Sequence, residues 1–316
     1  MEIWSHLIQN DQIIKYLKDK SPKEILSYLI PNKEKESEYY KKLAENSCIK
    51  SAKALFSMLS EENLKHGDEL YNEFKLLYPE EEPIELDLPL LEIKPPQKTL
   101  TSVTEYLKVL RVCMNNELLE KEIYEILARV SMDEKLKLIL SQMSRKAQQH
   151  YEELKELYDL LLALSEDEVK LKEPSPRGYL FSSKFKSRYF LMNILDNRKS
   201  MVITRDDPET IKGFFKKEIE VYWITNVPVI GSISPERFED SKKFMVDFLK
   251  QGDTILAIEG IEHLNAKIGF KKLFEILTYL KDHAIVSKSF LLISGDLNTF
   301  EEKNKGLLIS EFEFIS

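Results

Sequence analysis

Glycine is scarce and unevenly placed: nine occur in 316 residues, and only Gly67 precedes Gly178. The first half therefore lacks the residues that α/β loops need for positive φ. Cysteine is nearly absent. Cys48 and Cys113 make neither a CxxC pair nor a disulfide framework, so a reducing compartment, the cytoplasm, is expected. No stretch reaches the roughly 18 uncharged apolar residues of a membrane span. The opening MEIWSHLIQNDQIIKYLKDK carries charge throughout and does not read as a signal peptide. A basic surplus is missing too: 54 Asp and Glu outweigh 46 Lys and Arg, for a net charge of -8. An acidic balance argues against a dedicated nucleic-acid binder.

Proline, in contrast, is clustered. Pro79, Pro83, Pro89, Pro95 and Pro96 interrupt an acidic stretch that cannot be helical. On either side the apolar residues recur at helical spacing, which predicts helices near 22–45, 48–78, 100–130 and 133–166, after a short leading helix near 3–18. Short turns join each pair, and the proline-rich segment 79–98 joins the pairs. One long crossover between two helix pairs is the connectivity of ferritin-like four-helix bundles. A second proline cluster, with Pro174 and Pro176, ends at Gly178. The expected organisation is a helical domain over 1–166, a linker over 167–177 and an α/β domain over 178–316.

At about 100° per residue, each helix of the bundle carries one polar residue on its apolar face: Lys33, His66, Glu117 and His150. Burying such groups without partners costs a few kcal/mol each, so they are expected to meet. The segments EKESEYYKKLAENS…LFSMLSEENLKHGDEL and NNELLEKEIYEILARV…ILSQMSRKAQQHYEEL resemble two copies of the helix pair of the rubrerythrin and ferritin-like family. That resemblance implies a di-metal centre, in which each first helix gives a Glu and each second helix a Glu-x-x-His. Carried over position by position, Lys33 stands at the first Glu, Asn63 and His66 at the first Glu-x-x-His, Glu117 at the second Glu, and Ala147 and His150 at the second Glu-x-x-His. Three of four carboxylates are missing, and two metal ions need those charges for neutralisation. Two readings stay open. In one, Lys33 replaces metal and pairs with Glu117, with Lys121 as a second partner of that glutamate. In the other, a single ion, such as zinc, sits on His66, His150 and Glu117, with Glu62 within reach.

Beyond Gly178 short apolar runs alternate with helical stretches. Strands are predicted at Tyr179–Phe181, Met201–Thr204, Val221–Thr225, Thr254–Glu259 and Phe290–Ser294, and helices near 184–196, 208–217, 235–251 and 266–286. This alternation implies a parallel sheet with right-handed crossovers. The runs SMVITRDDP, VYWIT, TILAIEGIEHL, FLLISGD and GLLISEFEFI are similar to the archaeal domain of unknown function 835. More distantly the plan resembles RecA- and KaiC-type nucleotide binders, which implies a phosphate loop after the first strand and a magnesium-handling acid at the position of Glu259. The phosphate loop is missing: SSKFKSRYF follows the first strand, with no glycine between Gly178 and Gly213. Ser182, Arg205, Asp206, Asp207, Thr225, Glu259, Glu262, His263 and Asp296 fall at predicted strand ends, where an open sheet forms its crevice. Among them Arg205, Asp206, Glu259, His263 and Asp296 are the candidate ligand contacts, with Arg205 expected in an internal ion pair. Trp223 and both cysteines are expected in cores.

Three functions follow as expectations. The first is a non-catalytic regulatory or scaffold protein that binds a protein partner or a second copy of itself, without a cofactor. The second is a metal-binding or redox-linked ferritin-like protein holding one ion. The third is a nucleotide-sensing module that does not hydrolyse.

Overall fold

The computed structural model describes residues 17, 19–86, 99–166, 170–171, 174–215 and 219–315. The predicted leading helix near 3–18 lies outside them, apart from Leu17, as does the 87–98 part of the crossover. Contacts divide the chain into two units, with the cut between Tyr158 and Asp159.

Four helices build the first unit, and their starts are written in side chains. Helix α1 (Pro22–Glu45) opens with a capping box: the Ser21 hydroxyl accepts the Glu24 N–H, and the Glu24 carboxylate takes the Ser21 N–H. Pro22 occupies the first helical position, where its missing N–H costs nothing. Helix α2 (Lys50–Leu77) follows after a short turn. Helix α3 (Val103–Val130) repeats the capping box with Ser102 and Glu105. Helix α4 (Glu134–Leu164) completes the set. The Tyr106 hydroxyl of α3 accepts both the Cys48 and the Ile49 N–H groups, and Leu100 N–H bonds the Asn46 carbonyl. Helix α3 thus starts beside the α1–α2 turn, at the end opposite the finish of α2. Leu26, Leu55, Leu59, Leu110, Leu127, Leu140, Leu154 and Leu157 are buried, as the helical spacing requires.

After a two-residue antiparallel pair, β1 (Ser165–Glu166) with β2 (Lys170–Leu171), the second unit forms around a parallel sheet. In chain order its elements are β3 (Gly178–Phe181), α5 (Lys184–Ile194), β4 (Ser200–Thr204), α6 (Pro208–Phe215), β5 (Glu220–Ile224) and β6 (Ser232–Ile233). A 3-10 turn (Pro235–Ser241) leads into α7 (Lys242–Leu249), then β7 (Ile255–Glu259), α8 (Ile261–Ile268), α9 (Phe270–Val286), β8 (Phe290–Ser294), α10 (Glu302–Glu311) and β9 (Glu313–Ile315). The sheet order is β6-β5-β4-β7-β8-β3-β9, and every pairing in it is parallel. Strands β3, β4, β7 and β8 are buried along their whole length, which is why their sequences are apolar without alternation.

Four features depart from the sequence expectation. The single helix expected over 235–251 is split, because Arg237 leaves helical φ/ψ. The helix expected from 266 starts earlier, as α8, and breaks at Gly269, whose φ of 77° a helix cannot accommodate. Strands β6 and β9 are too short to show a period, and α10 has a mostly exposed surface with little apolar bias.

Candidate functional site

Two buried polar centres stand out, one in each unit. In the helical unit Lys33, His66, Glu117 and His150 are all buried, as are Asn63 and Ala147 at the other ligand positions. They form two groups rather than one. Lys33 Nζ donates to Glu36 Oε2 at 2.6 Å, to Glu120 Oε2 at 2.6 Å and to Asn63 Oδ1 at 3.1 Å. An ammonium has three N–H donors, so three acceptors satisfy it. The expected pairing of Lys33 with Glu117 is therefore corrected: Glu36, one turn on, and Glu120, one turn past Glu117, reach the amine instead. Lys121 likewise turns outward toward Glu125, at 3.9 Å. Burial works to discharge Lys33, but Glu120 and Glu36 hold its proton well above the ordinary lysine range. Burial and the neighbouring Glu120 charge push Glu36 well up. Burial also acts to raise Glu120, yet Lys33 and a hydrogen bond with Glu36 hold it down.

The second group centres on His150, stacked on His66 with ring centroids 5.6 Å apart. His150 Nε2 lies 3.0 Å from Glu62 Oε2, and Nδ1 lies 3.4 Å from Glu117 Oε2. Tyr40 donates to the other Glu117 oxygen at 2.7 Å. Burial opposes charging of His150, but Glu117, by charge and hydrogen bond, and Glu62 lift it to about 10. For His66 burial dominates, helped by Lys146, and lowers it to about 4. Glu153, buried on α4, is raised to about 7 by burial. Glu153 Oε2 is buried without a hydrogen-bond partner, and Glu117 Oε2 has only the His150 contact. Among the described residues no group of three or more His, Cys, Asp or Glu side chains is arranged to hold a metal ion. A two-metal centre does not fit: an ammonium lies among the carboxylates, and the histidine that would ligate is clamped by two glutamates.

In the α/β unit the chain turns outward from β4 to β5 and β6, and after β7 runs the other way to β8. The crevice between the carboxyl ends of β4 and β7 is thus one topological switch point, and that between β8 and β3 is another. The first is filled from within by Arg188, which projects from α5. Arg188 Nε donates to Glu259 Oε1 at 2.8 Å, and Nη2 donates to Glu259 Oε2 at 2.5 Å and to Asp206 Oδ2 at 2.7 Å. Lys184, one turn earlier, donates to both oxygens of Asp206. Burial acts to raise Asp206, but the bonds from Lys184 and Arg188 hold it below its usual value. Arg188 and Glu259 are 4 % and 2 % exposed, so this ion pair is sealed from solvent.

The remaining candidates are dispersed. Arg205 is not in the ion pair expected of it; its guanidinium donates to the Ile224 carbonyl at 3.1 Å, because Arg188 already holds both acids. Asp296 is exposed and caps a 3-10 turn through Asn298 N–H. His263 lies on the first turn of α8, half-buried, its Nε2 without a partner. Asp207 caps Thr210, and Glu262 accepts the Asp296 N–H at 3.3 Å. Trp223 is half-buried at the margin of the core and donates to the Arg205 carbonyl. Cys113 is buried as expected, whereas Cys48 is exposed on the α1–α2 turn. Helical spacing could have flagged Glu36 and Glu120, which lie three residues from Lys33 and Glu117. Arg188 gave no signal, since its partner is 71 positions away.

Fold and centres together define a helical unit followed by a parallel α/β unit whose β4–β7 crevice is closed by its own charges. Residues 180–312 match the family described as "Protein of unknown function (DUF835)". Among solved structures, a hypothetical protein from Pyrococcus furiosus is 28% identical. The match covers 47% of this chain and 95% of that chain, with a TM-score of 0.43. Comparison with curated proteins gives no match. No described helix is long and apolar enough to cross a membrane.

Proposed function

We propose that this protein is a regulatory or scaffold protein of the cytoplasm that acts by binding a protein partner or a second copy of itself, not by turnover. The observation that supports this most is Arg188. Open parallel sheets take ligands at a switch point, and here a sealed guanidinium–carboxylate pair fills the one between β4 and β7. The strand order β9-β3-β8-β7-β4 supports a RecA-like plan for this unit, with Glu259 at the magnesium position and Arg188 upon it. The long connection between two helix pairs supports a ferritin-like plan for the helical unit.

The test is calorimetry and thermal shift of the full chain with ATP or GTP and Mg2+, alongside phosphate release. No binding and no release are expected. A rise in Tm that Glu259→Gln abolishes would instead establish the nucleotide-sensing reading.

One observation favours a second reading, a metal-binding or redox-linked bundle: Glu153, one turn past His150 on α4, buries an oxygen that has no hydrogen-bond partner. Metal analysis of protein purified without chelator decides it. Stoichiometric metal lost in His150→Ala would displace the binding-protein reading.

A further inference from the structure

We infer that two copies of this chain dimerise through the α/β unit by reciprocal exchange, each inserting the knuckle between β5 and β6, residues 227–230, into the cleft that the other opens at Gly269 between α8 and α9. The inference rests on the binding reading and names its partner and surface. No charged residue lies between Val221 and Pro235, in a chain that is 32% charged. Asn226, Val227, Pro228, Val229 and Ile230 are all exposed, and Ile230 at 106 % is as open as a residue can be. The knuckle has a fixed shape. Val227 N–H donates to Thr225 Oγ1 at 3.2 Å, Val229 N–H to the Val227 carbonyl at 3.0 Å and Ser232 N–H to the Val229 carbonyl at 3.0 Å. Gly231, at φ 80°, takes the left-handed conformation that turns the chain back into β6. A contiguous apolar projection held in place in this way marks a contact surface.

The receiving cleft, of about 480 Å3, is floored by Ile268, Gly269 and Phe270. Ile268 and Phe270 are half-buried against the core and bring apolar surface to it. A side chain at Gly269 would meet no atom within 4 Å, so the break between the helices leaves that space open. Its rim holds Glu239, Lys271, Lys272 and Glu275, which cancel in charge, with Lys272 on Glu239 at 2.5 Å. Charge therefore favours this pairing. Two chains of net charge -8 repel, and an uncharged knuckle in a neutral-rimmed cleft is where they meet at least cost. Position permits closure. The knuckle leaves the carboxyl end of β5. Helix α9 has 17 residues, about 25 Å, and returns to the start of β8, a strand of about 16 Å; its first turn, at the cleft, thus lies toward the carboxyl end too. A two-fold axis then repeats the contact. One knuckle falls short of the roughly 800 Å2 per partner of a standard interface. Two contacts double the buried area and give a weak dimer that depends on concentration.

The experiment is sedimentation velocity of the full chain over a concentration series, wild type against Ile230→Asp, with circular dichroism to confirm the fold. Wild type is expected to pass from monomer to dimer as concentration rises through the micromolar range. Ile230→Asp, a change at a fully exposed position, should weaken the dimer about tenfold or more. Disulfide trapping then reads which surfaces meet. In a Cys48→Ser background, Ile230→Cys chains are mixed with Lys271→Cys chains, and cross-links between the two kinds should exceed those within either kind. A wild type that stays monomeric throughout overturns the inference, while binding to a different protein survives it. A dimer that Ile230→Asp leaves intact, or one in which Ile230→Cys chains link mainly to each other, also overturns the exchange. Failure of the binding reading itself shows elsewhere, as a nucleotide-dependent rise in Tm, so the two failures are distinguishable.

Discussion

Replacing Arg188 with alanine should be the most damaging single change in the α/β unit. The guanidinium makes two bonds to Glu259 and one to Asp206, and it lies 5.7 Å from the ring centroids of both Phe185 and Phe214. Asp206 keeps Lys184 as a partner and is partly solvated, so little of the cost falls on it. Glu259, 2 % exposed, would be left as an uncompensated charge. Breaking a buried pair in this way costs about 3–5 kcal/mol, a large share of the roughly 5–15 kcal/mol that holds a domain folded. With a urea slope of about 2 kcal/mol per molar, the midpoint should fall by about 1.5–2.5 M. Trp223 sits on β5, and in a Trp4→Phe background its fluorescence follows this unit alone. The double variant Arg188→Met/Glu259→Leu should recover most of the loss, because apolar groups of similar volume need no counter-charge. A cost below about 1 kcal/mol for Arg188→Ala, or single-variant losses that simply add in the double variant, would refute the claim that this pair is sealed and coupled.

Two further outcomes follow from the helical unit. Glu153 is raised to about 7, above the ordinary glutamate value, so the folded state holds a proton that the unfolded chain releases. Its contribution is full at low pH and is lost as pH rises to about 7. His150, raised to about 10, contributes below the ordinary histidine value and loses that contribution as pH climbs to about 10. His66, lowered to about 4, acts the other way: its contribution is present above the ordinary value and lost as pH falls toward about 4. Stability of this unit, followed by helical circular dichroism, should therefore be flat on the mildly acidic side and decline above neutrality. Glu153→Gln should gain on the order of 2–3 kcal/mol over wild type at pH 8 and little at pH 5; equal gains at both would exclude Glu153 as the cause. Ser102→Ala, which removes the capping box of α3, should cost about 1 kcal/mol in chemical denaturation, while Ser60→Ala, outside any cap, should not reproduce that loss through helix fraying.

Helix spacing and strand composition carried most of the architecture, because both are local. Leu55, Leu59 and Leu70 repeat at helical intervals, and the strand at Ile255–Glu259 is apolar because helices cover both faces. The polar residues on the helix faces were legible for the same reason. Their partners were not. Lys33 could have met Glu117 or Glu120, which stand on the same face one turn apart, and the choice depends on how α1 and α3 are set along each other. Arg188 falls within the helix predicted near 184–196 with nothing to single it out, while Arg205, beside two aspartates in sequence, looks like the natural ion-pair partner. The sheet instead brought Glu259 under α5, and a carbonyl at Ile224 took Arg205. Cys48 and Trp223 show a similar limit: residue type suggested burial, but a turn and the pattern of coverage around β5 left them partly in solvent.

The sheet order has a consequence for synthesis. Strand β3 is the first of its sheet to leave the ribosome, yet its two neighbours are β8 and β9, the last two described strands. Until they emerge, GYLF offers two open edges and an apolar surface with nothing to pair. The nascent α/β unit must therefore stay unassembled, or be shielded, through almost all of its translation, and a ribosome stalled before β8 would release a chain with an exposed, association-prone strand.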